Sequence, residues 1–135
     1  MLPAMIERLY HPRLDLIEHR VEGELSEREF VDATRALYAM DPPPRFSLWD
    51  LEKVVWAGSS YEDTRKMQAS LVGEVRGREG GKTALVVPAD FGYALGRQYI
   101  GLAESYPLPF EQRVFRSRAE ALEWLGVSER QLEAS

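Results

Sequence analysis

Thr83-Ala84-Leu85-Val86-Val87 is apolar along nearly its whole length, and a strand with no alternating polar face must be covered on both sides. Pro88 follows at once and has no amide with which to extend a ladder. Before it, residues 76–82 read Arg-Gly-Arg-Glu-Gly-Gly-Lys, a polar connection of ordinary length. The stretch is therefore expected to be a central strand with helices on each face of its sheet, and the flanking sequence supplies both strands and helices.

Upstream, Phe46 to Leu51 and the N-terminal segments 5–9 and 14–22 are rich in strand formers, as is 113–115 downstream. The first two segments are separated by the short turn His11-Pro12-Arg13 and are expected to form an antiparallel hairpin. The last three strands alternate with helical patterns, an order that implies parallel neighbours joined by right-handed crossovers.

Helix starts are marked by serine caps, whose oxygens accept from amides three residues on. Ser26-Glu27-Arg28-Glu29 is a full capping box, and Phe30, Ala33 and Leu37 follow on one face of a helix over 27–40, stopped by Asp41-Pro42-Pro43-Pro44. Ser60, with Glu62 and Asp63 in the first turn, starts a second helix with the stripe Thr64, Met67, Leu71 and Val75. Asp90 caps a third, carrying Phe91, Ala94, Leu95, Tyr99, Leu102 and Ala103, before Pro107 and Pro109. Ser117-Arg118-Ala119-Glu120 reads as another box, opening a helix that Gly126 stops. Residues 128–135 are charged and terminal, one loose helical turn or a frayed tail. The expected fold is α/β: one layer of mixed sheet with four to five strands, an N-terminal hairpin then parallel strands, and about four helices. It spans 1–135 as a single domain, with a core over about 5–126 and a tail over 127–135.

Composition narrows the function. The chain has 135 residues, 44% hydrophobic and 29% charged, with a net charge of -5. Binding along a nucleic-acid backbone needs clustered Lys and Arg, whereas here basic residues are interleaved with acids, so no nucleic-acid partner is expected. The apolar runs are too short for a membrane span. With no cysteine and only His11 and His19, thiolate chemistry, Cys-ligated zinc and multi-histidine metal sites fall away, and neither a metal nor a cofactor is expected. Glu7 and Arg8 interrupt the N-terminal stretch where a secretory signal would be apolar, which makes the cytoplasm the expected location.

Several constellations bear on chemistry. Residues 77–83 end in the Gly-Lys-Thr of a phosphate loop, but position 76 is Arg76 and the segment feeds a strand, not a helix that could aim amides at an anion. Gly92 and Gly96 suit close packing of the third helix on the sheet. His19, between Glu18 and Arg20, is read as a solvent-facing histidine with no nucleophile placed beside it. Asp50, Glu52, Glu62 and Asp63 suit capping and strand-end solvation better than a cation site. No set amounts to an active site, and no catalytic residue is assigned. The segment from Phe46 to Ser60 places the acid Asp50 at a strand's carboxyl end and a serine pair at the next helix start, where open α/β sheets carry their functional groups.

Over this segment the chain resembles the STAS domains, the family of bacterial anti-sigma-factor antagonists and of cytoplasmic domains of anion transporters. Leu48-Trp49-Asp50-Leu51, Val54, Trp56 and Ser59-Ser60 match its third strand and helix entry. Gly23-Glu24-Leu25-Ser26 resembles its entry to the first helix, and Arg113-Val114-Phe115 with Ser117-Arg118-Ala119-Glu120-Ala121-Leu122 its closing strand and helix. By position, Ser59 would be the phosphoacceptor. Gly58 stands where the family has aspartate, and Tyr61 where it has glycine, so the pattern is closer to the SpoIIAA-like proteins of bacteria that lack the phosphorylation motif. The resemblance implies a non-catalytic signalling or protein-binding domain, with Ser59, Ser60, Asp50, Gly58 and Tyr61 as the candidate phosphoacceptor and partner-binding residues. The alternative is a small apolar, lipid-like ligand held in a pocket of Trp49, Trp56, Phe91 and Tyr99. A protein partner and a homodimer are the expected associations.

Overall fold

The computed structural model describes residues 4–56, 65–66, 69–71, 74–75, 77–87 and 108–135. Strand β1 (Met5–His11) turns through a short 3-10 segment at Pro12–Leu14 into β2 (Leu16–Leu25), and the pair is antiparallel, with Met5 opposite Glu22 and His11 opposite Leu16. The turn closes because Asp15 takes a left-handed backbone conformation, its amide donating to the Pro12 carbonyl. Helix α1 (Glu27–Tyr38), strands β3 (Phe46–Trp56), β4 (Lys82–Val86) and β5 (Glu111–Phe115), and helices α2 (Arg118–Leu125) and α3 (Glu129–Ala134) follow. Residues 65–66 and 69–71 are also helical. The strands lie in the order β1-β2-β3-β4-β5, and every pair after the first is parallel. The sheet is thus mixed and five-stranded.

A strand order that always advances the same way sends successive right-handed crossovers over one face. On that face Val21, Leu25, Trp49 and Leu85 of the sheet pack with Phe30 and Ala33 of α1 and with Leu71, and Ile17 packs with Leu37 and Tyr38. The chain after β5 has no further strand to reach, and it covers the opposite face instead. There Leu16, Leu48, Ala84 and Val86 pack with Ala121, Leu122 and Leu125 of α2 and with Leu132 of α3. Burial of β4 on both faces, expected from its sequence, follows directly: Ala84, Leu85 and Val86 are all buried.

Local signals hold where they are short-range. Ser26 accepts from the Glu29 amide while the Glu29 carboxylate takes the Ser26 amide, the reciprocal box expected at that site. Gly126 ends α2 in the left-handed conformation that glycine adopts without strain, and the Val127 amide reaches back to the Leu122 carbonyl.

Three expectations are corrected. The first helix ends at Tyr38, not Met40. Strand β2 runs on to Leu25, and β3 runs on to Trp56, so Asp50 lies inside a strand and not at its end. Pairing of β3 with β4 does stop at Asp50 opposite Val86, and beyond it β3 takes one residue more than β2 between Asp50 and Lys53. The charged Glu52 and Lys53 fit the continued strand because both are exposed. Of the two readings of residues 128–135 the helical turn is the one found: Ser128 and Gln131 form a reciprocal box and Leu132 is buried. The starts of the second and third helices, at Ser60 and Asp90, and the Gly92 and Gly96 pair lie outside the described residues.

Candidate functional site

Asp50 and Trp49 are neighbours on β3 and point to opposite faces of the sheet, so the docking residue and the pocket residue of the sequence reading do not share a site. Gly58, Ser59, Ser60, Tyr61, Phe91 and Tyr99 lie outside the described residues, and Trp56 is described only as the last residue of β3.

Asp50 enters an ionic junction on the face covered by α2 and α3. Its partner is Arg118, the first residue of α2, whose Nη1 donates to Asp50 Oδ2 at 2.9 Å and to Glu18 Oε2 at 2.6 Å. Arg118 also donates through Nε to Glu129, the first residue of α3. Glu18 is fully buried, and Arg20 Nε donates to its Oε2 at 2.9 Å. His11 Nε2 lies 3.9 Å from Glu18 Oε1. One guanidinium thus ties β2, β3, α2 and α3 together. Burial works against the Arg118 charge, but the hydrogen bonds to Glu129, Glu18 and Asp50 outweigh it and raise its pKa above the ordinary value. At Glu52, exposed but partly screened from solvent, that desolvation and then the nearby Asp50 charge raise the carboxyl. An arginine at the first position of a helix faces the positive end of the dipole, and that misfit in Ser117-Arg118 was the one sequence signal that the residue answers to something other than its helix. Glu18 gave none beyond sharing the alternation of Leu16.

Beyond Arg20 and Asp50 no described helix lies over the same face. Met5 pairs with Glu22, Glu22 with Lys53, and Glu24 with Val55. Alternation along β2 puts all of these on the side of Glu18 and Arg20. Met5 is 74% and Val55 66% exposed, and Glu7, Arg20, Glu22 and Lys53 are exposed between them. Helices α2 and α3 cover the first half of the face and leave the second half open to contact.

The other face holds Trp49, buried and stacked on His19 with ring centroids 3.9 Å apart and planes 8° from parallel. His19 is 0% exposed, which corrects its reading as a solvent-facing residue, and neither ring nitrogen has a hydrogen-bond partner among the described residues. Burial first, then the charges of Arg8 and Arg78, push its pKa down to about 3, so the ring is neutral. Nearby, the buried Arg78 donates to the Pro44 carbonyl at 2.8 Å, the Arg45 carbonyl at 3.1 Å, Ser47 Oγ at 3.1 Å and Thr83 Oγ1 at 3.0 Å, and its guanidinium lies over Phe110. Burial lowers its pKa to about 10, against the support of Tyr38 and Asp15. Trp49, Arg78, Ser47, Thr83, Tyr38 and Gln112 line a cavity of about 20 Å³, room for about one water molecule. The segment from Gly77 to Thr83 feeds a strand, as its sequence required, and serves to bring Arg78 inside.

No group of three or more metal-ligating side chains occurs among the described residues, and none of their helices is long and apolar enough to cross a membrane. No protein-family profile matches the chain, and no curated protein matches it. Among solved structures it is similar to an uncharacterized protein of the DUF3478 family with a SpoIIAA-like fold, from Shewanella loihica PV-4. The two are 15% identical over 91% of this chain and 94% of that one, with a TM-score of 0.51. This is an α/β domain of SpoIIAA-like fold. At that level of identity the likeness reaches the architecture and goes no further.

Proposed function

We propose that the chain is a non-catalytic, SpoIIAA-like signalling module that binds a protein partner through the bare half of its sheet face and the residues that follow β3. The observation that carries this reading is the exposure of Met5 and Val55 on one uncovered sheet face, with Val55 two residues before the segment that leads to Gly58, Ser59, Ser60 and Tyr61. Exposed apolar side chains set among Glu7, Arg20, Glu22 and Lys53 offer a partner both apolar area and charge on one face. Phosphate on Ser59, four residues after Val55 in the chain, would add a double negative charge and weaken the hold on an acidic partner.

The test is affinity capture from lysate of the source organism with the chain and with its Val55→Glu and Met5→Glu variants, with ATP present and mass spectrometry of Ser59 and Ser60. The expected result is a captured protein that both variants lose, by roughly 10-fold or more in yield, since a buried central contact typically carries 2 kcal/mol or more. Capture unchanged by both variants would remove the surface from the proposal, and phosphate at neither serine would leave binding without the switch.

A further inference from the structure

Helix α3 has six residues, well under the roughly 12 to 15 that an isolated helix needs. Of those residues only Leu132 is buried; Glu129, Arg130, Gln131, Glu133 and Ala134 are exposed. Among the described residues its ties to the body are three: Leu132 in the apolar cluster of the sheet face, the Glu129 carboxylate on Arg118, and the Ser135 hydroxyl with His11 Nδ1. Its remaining polar bonds are its own, between Ser128 and Gln131 and from Ser135 Oγ to the Leu132 carbonyl, and they survive if the helix moves as a unit.

The body does not depend on α3 in return. Arg118 keeps Glu18 and Asp50 when Glu129 leaves, and the turn that closes α2 is made by Gly126 and Val127, ahead of α3. Strands β2 and β3 are paired along both edges over the stretch from Leu16 to Arg20 and from Phe46 to Asp50. Free energies of local opening range from near zero to that of the whole fold, and the lowest belong to segments with few buried contacts.

We propose that α3 is an intramolecular strap that opens by itself, pivoting after Gly126 while the sheet, α1 and α2 stay closed. Closed, it occupies the seat of Leu132 and shields His11; open, it frees the His11 imidazole, empties that seat and gives solvent access to the Arg118 junction. The strap is a gate on the helix-covered half of the sheet face, and it stands independently of the partner-binding reading of the bare half.

Hydrogen exchange followed by NMR on the full chain, repeated across urea concentrations below the unfolding transition, decides the matter. The amides of residues 131–134 are expected to exchange at least roughly 100-fold faster than those of Ile17, Glu18, Leu48 and Trp49, with little dependence on urea, because a local opening exposes little surface. The Glu129→Gln variant is expected to raise exchange in 131–134 several-fold and leave the strand amides alone. Exchange of 131–134 at the strand rate and with the strand urea slope would mean that α3 opens only with the whole fold and would overturn the strap. A uniform rise across the sheet in the variant would do the same.

Discussion

The imidazole of His19 is held flat against Trp49 in the interior, with both ring nitrogens unpartnered among the described residues. A buried polar group in that state costs about 1–3 kcal/mol, and adding a proton would cost more. Because the folded-state pKa is lowered from 6.5 to about 3, the unfolded chain takes up the proton first as pH falls. The stability tied to the neutral ring is complete above pH 6.5 and drains away between there and about 3. The full displacement corresponds to roughly 5 kcal/mol. His19→Phe keeps a flat ring and removes the titration. The variant is expected to be at least as stable as the native chain at pH 7 and to lose less stability on acidification, read as urea midpoints at pH 7, 5 and 4. Parallel losses in the two proteins would show that His19 does not contribute to acid sensitivity.

At the scale of elements, two connections cross on the face of α1: the one from α1 into β3 and the one from Gly77 into β4. Arg78 donates to the Pro44 and Arg45 carbonyls, and the Lys82 amide to the Arg45 carbonyl at 3.1 Å. The crossing leaves no room for a side chain at Gly81, where a Cβ would fall 1.9 Å from the Arg45 carbonyl oxygen. The obstacle is backbone that is itself hydrogen bonded, so it cannot swing aside. Gly81→Ala is expected to cost about 3 kcal/mol, read from urea unfolding, and a loss under about 0.5 kcal/mol would show that the connections adjust freely. Elements whose determinants are local were legible in the sequence: the α1 box, the Gly126 stop, the β1–β2 hairpin and the two-sided burial of β4. Strand ends were not, because Glu52 and Lys53 sit on a face whose exposure depends on where α2 and α3 stop.

Across the whole molecule, Arg118 joins parts of the chain that are far apart, 100 residues from Glu18 and 68 from Asp50. Removing one partner of a buried ion pair strands the other, at about 3–5 kcal/mol. Arg118→Met is expected to destabilise by about that amount, partly relieved by the Arg20 bond to Glu18, while Arg118→Met with Glu18→Leu recovers most of the loss. Arg118→Lys should not substitute, since a single ammonium does not reproduce a planar fork reaching three carboxylates. Denaturation of the four proteins by urea gives the comparison, and a double variant no more stable than Arg118→Met would show that the buried Glu18 charge is not the source of the cost.

Of the candidate site, Asp50 was readable from its place in Leu48-Trp49-Asp50-Leu51, but its use was not. Short-range patterns carry their own physics: a serine cap, a proline stop and an unbroken apolar run act on residues a few positions away, and they dictated the helices, the hairpin and the covered sheet. Which side of that sheet α2 and α3 would close on, and hence that Glu18 and Asp50 meet Arg118, His19 is sealed and Val55 is left bare, was settled only in three dimensions, because burial and ion pairing depend on distances in space that no spacing along the chain encodes.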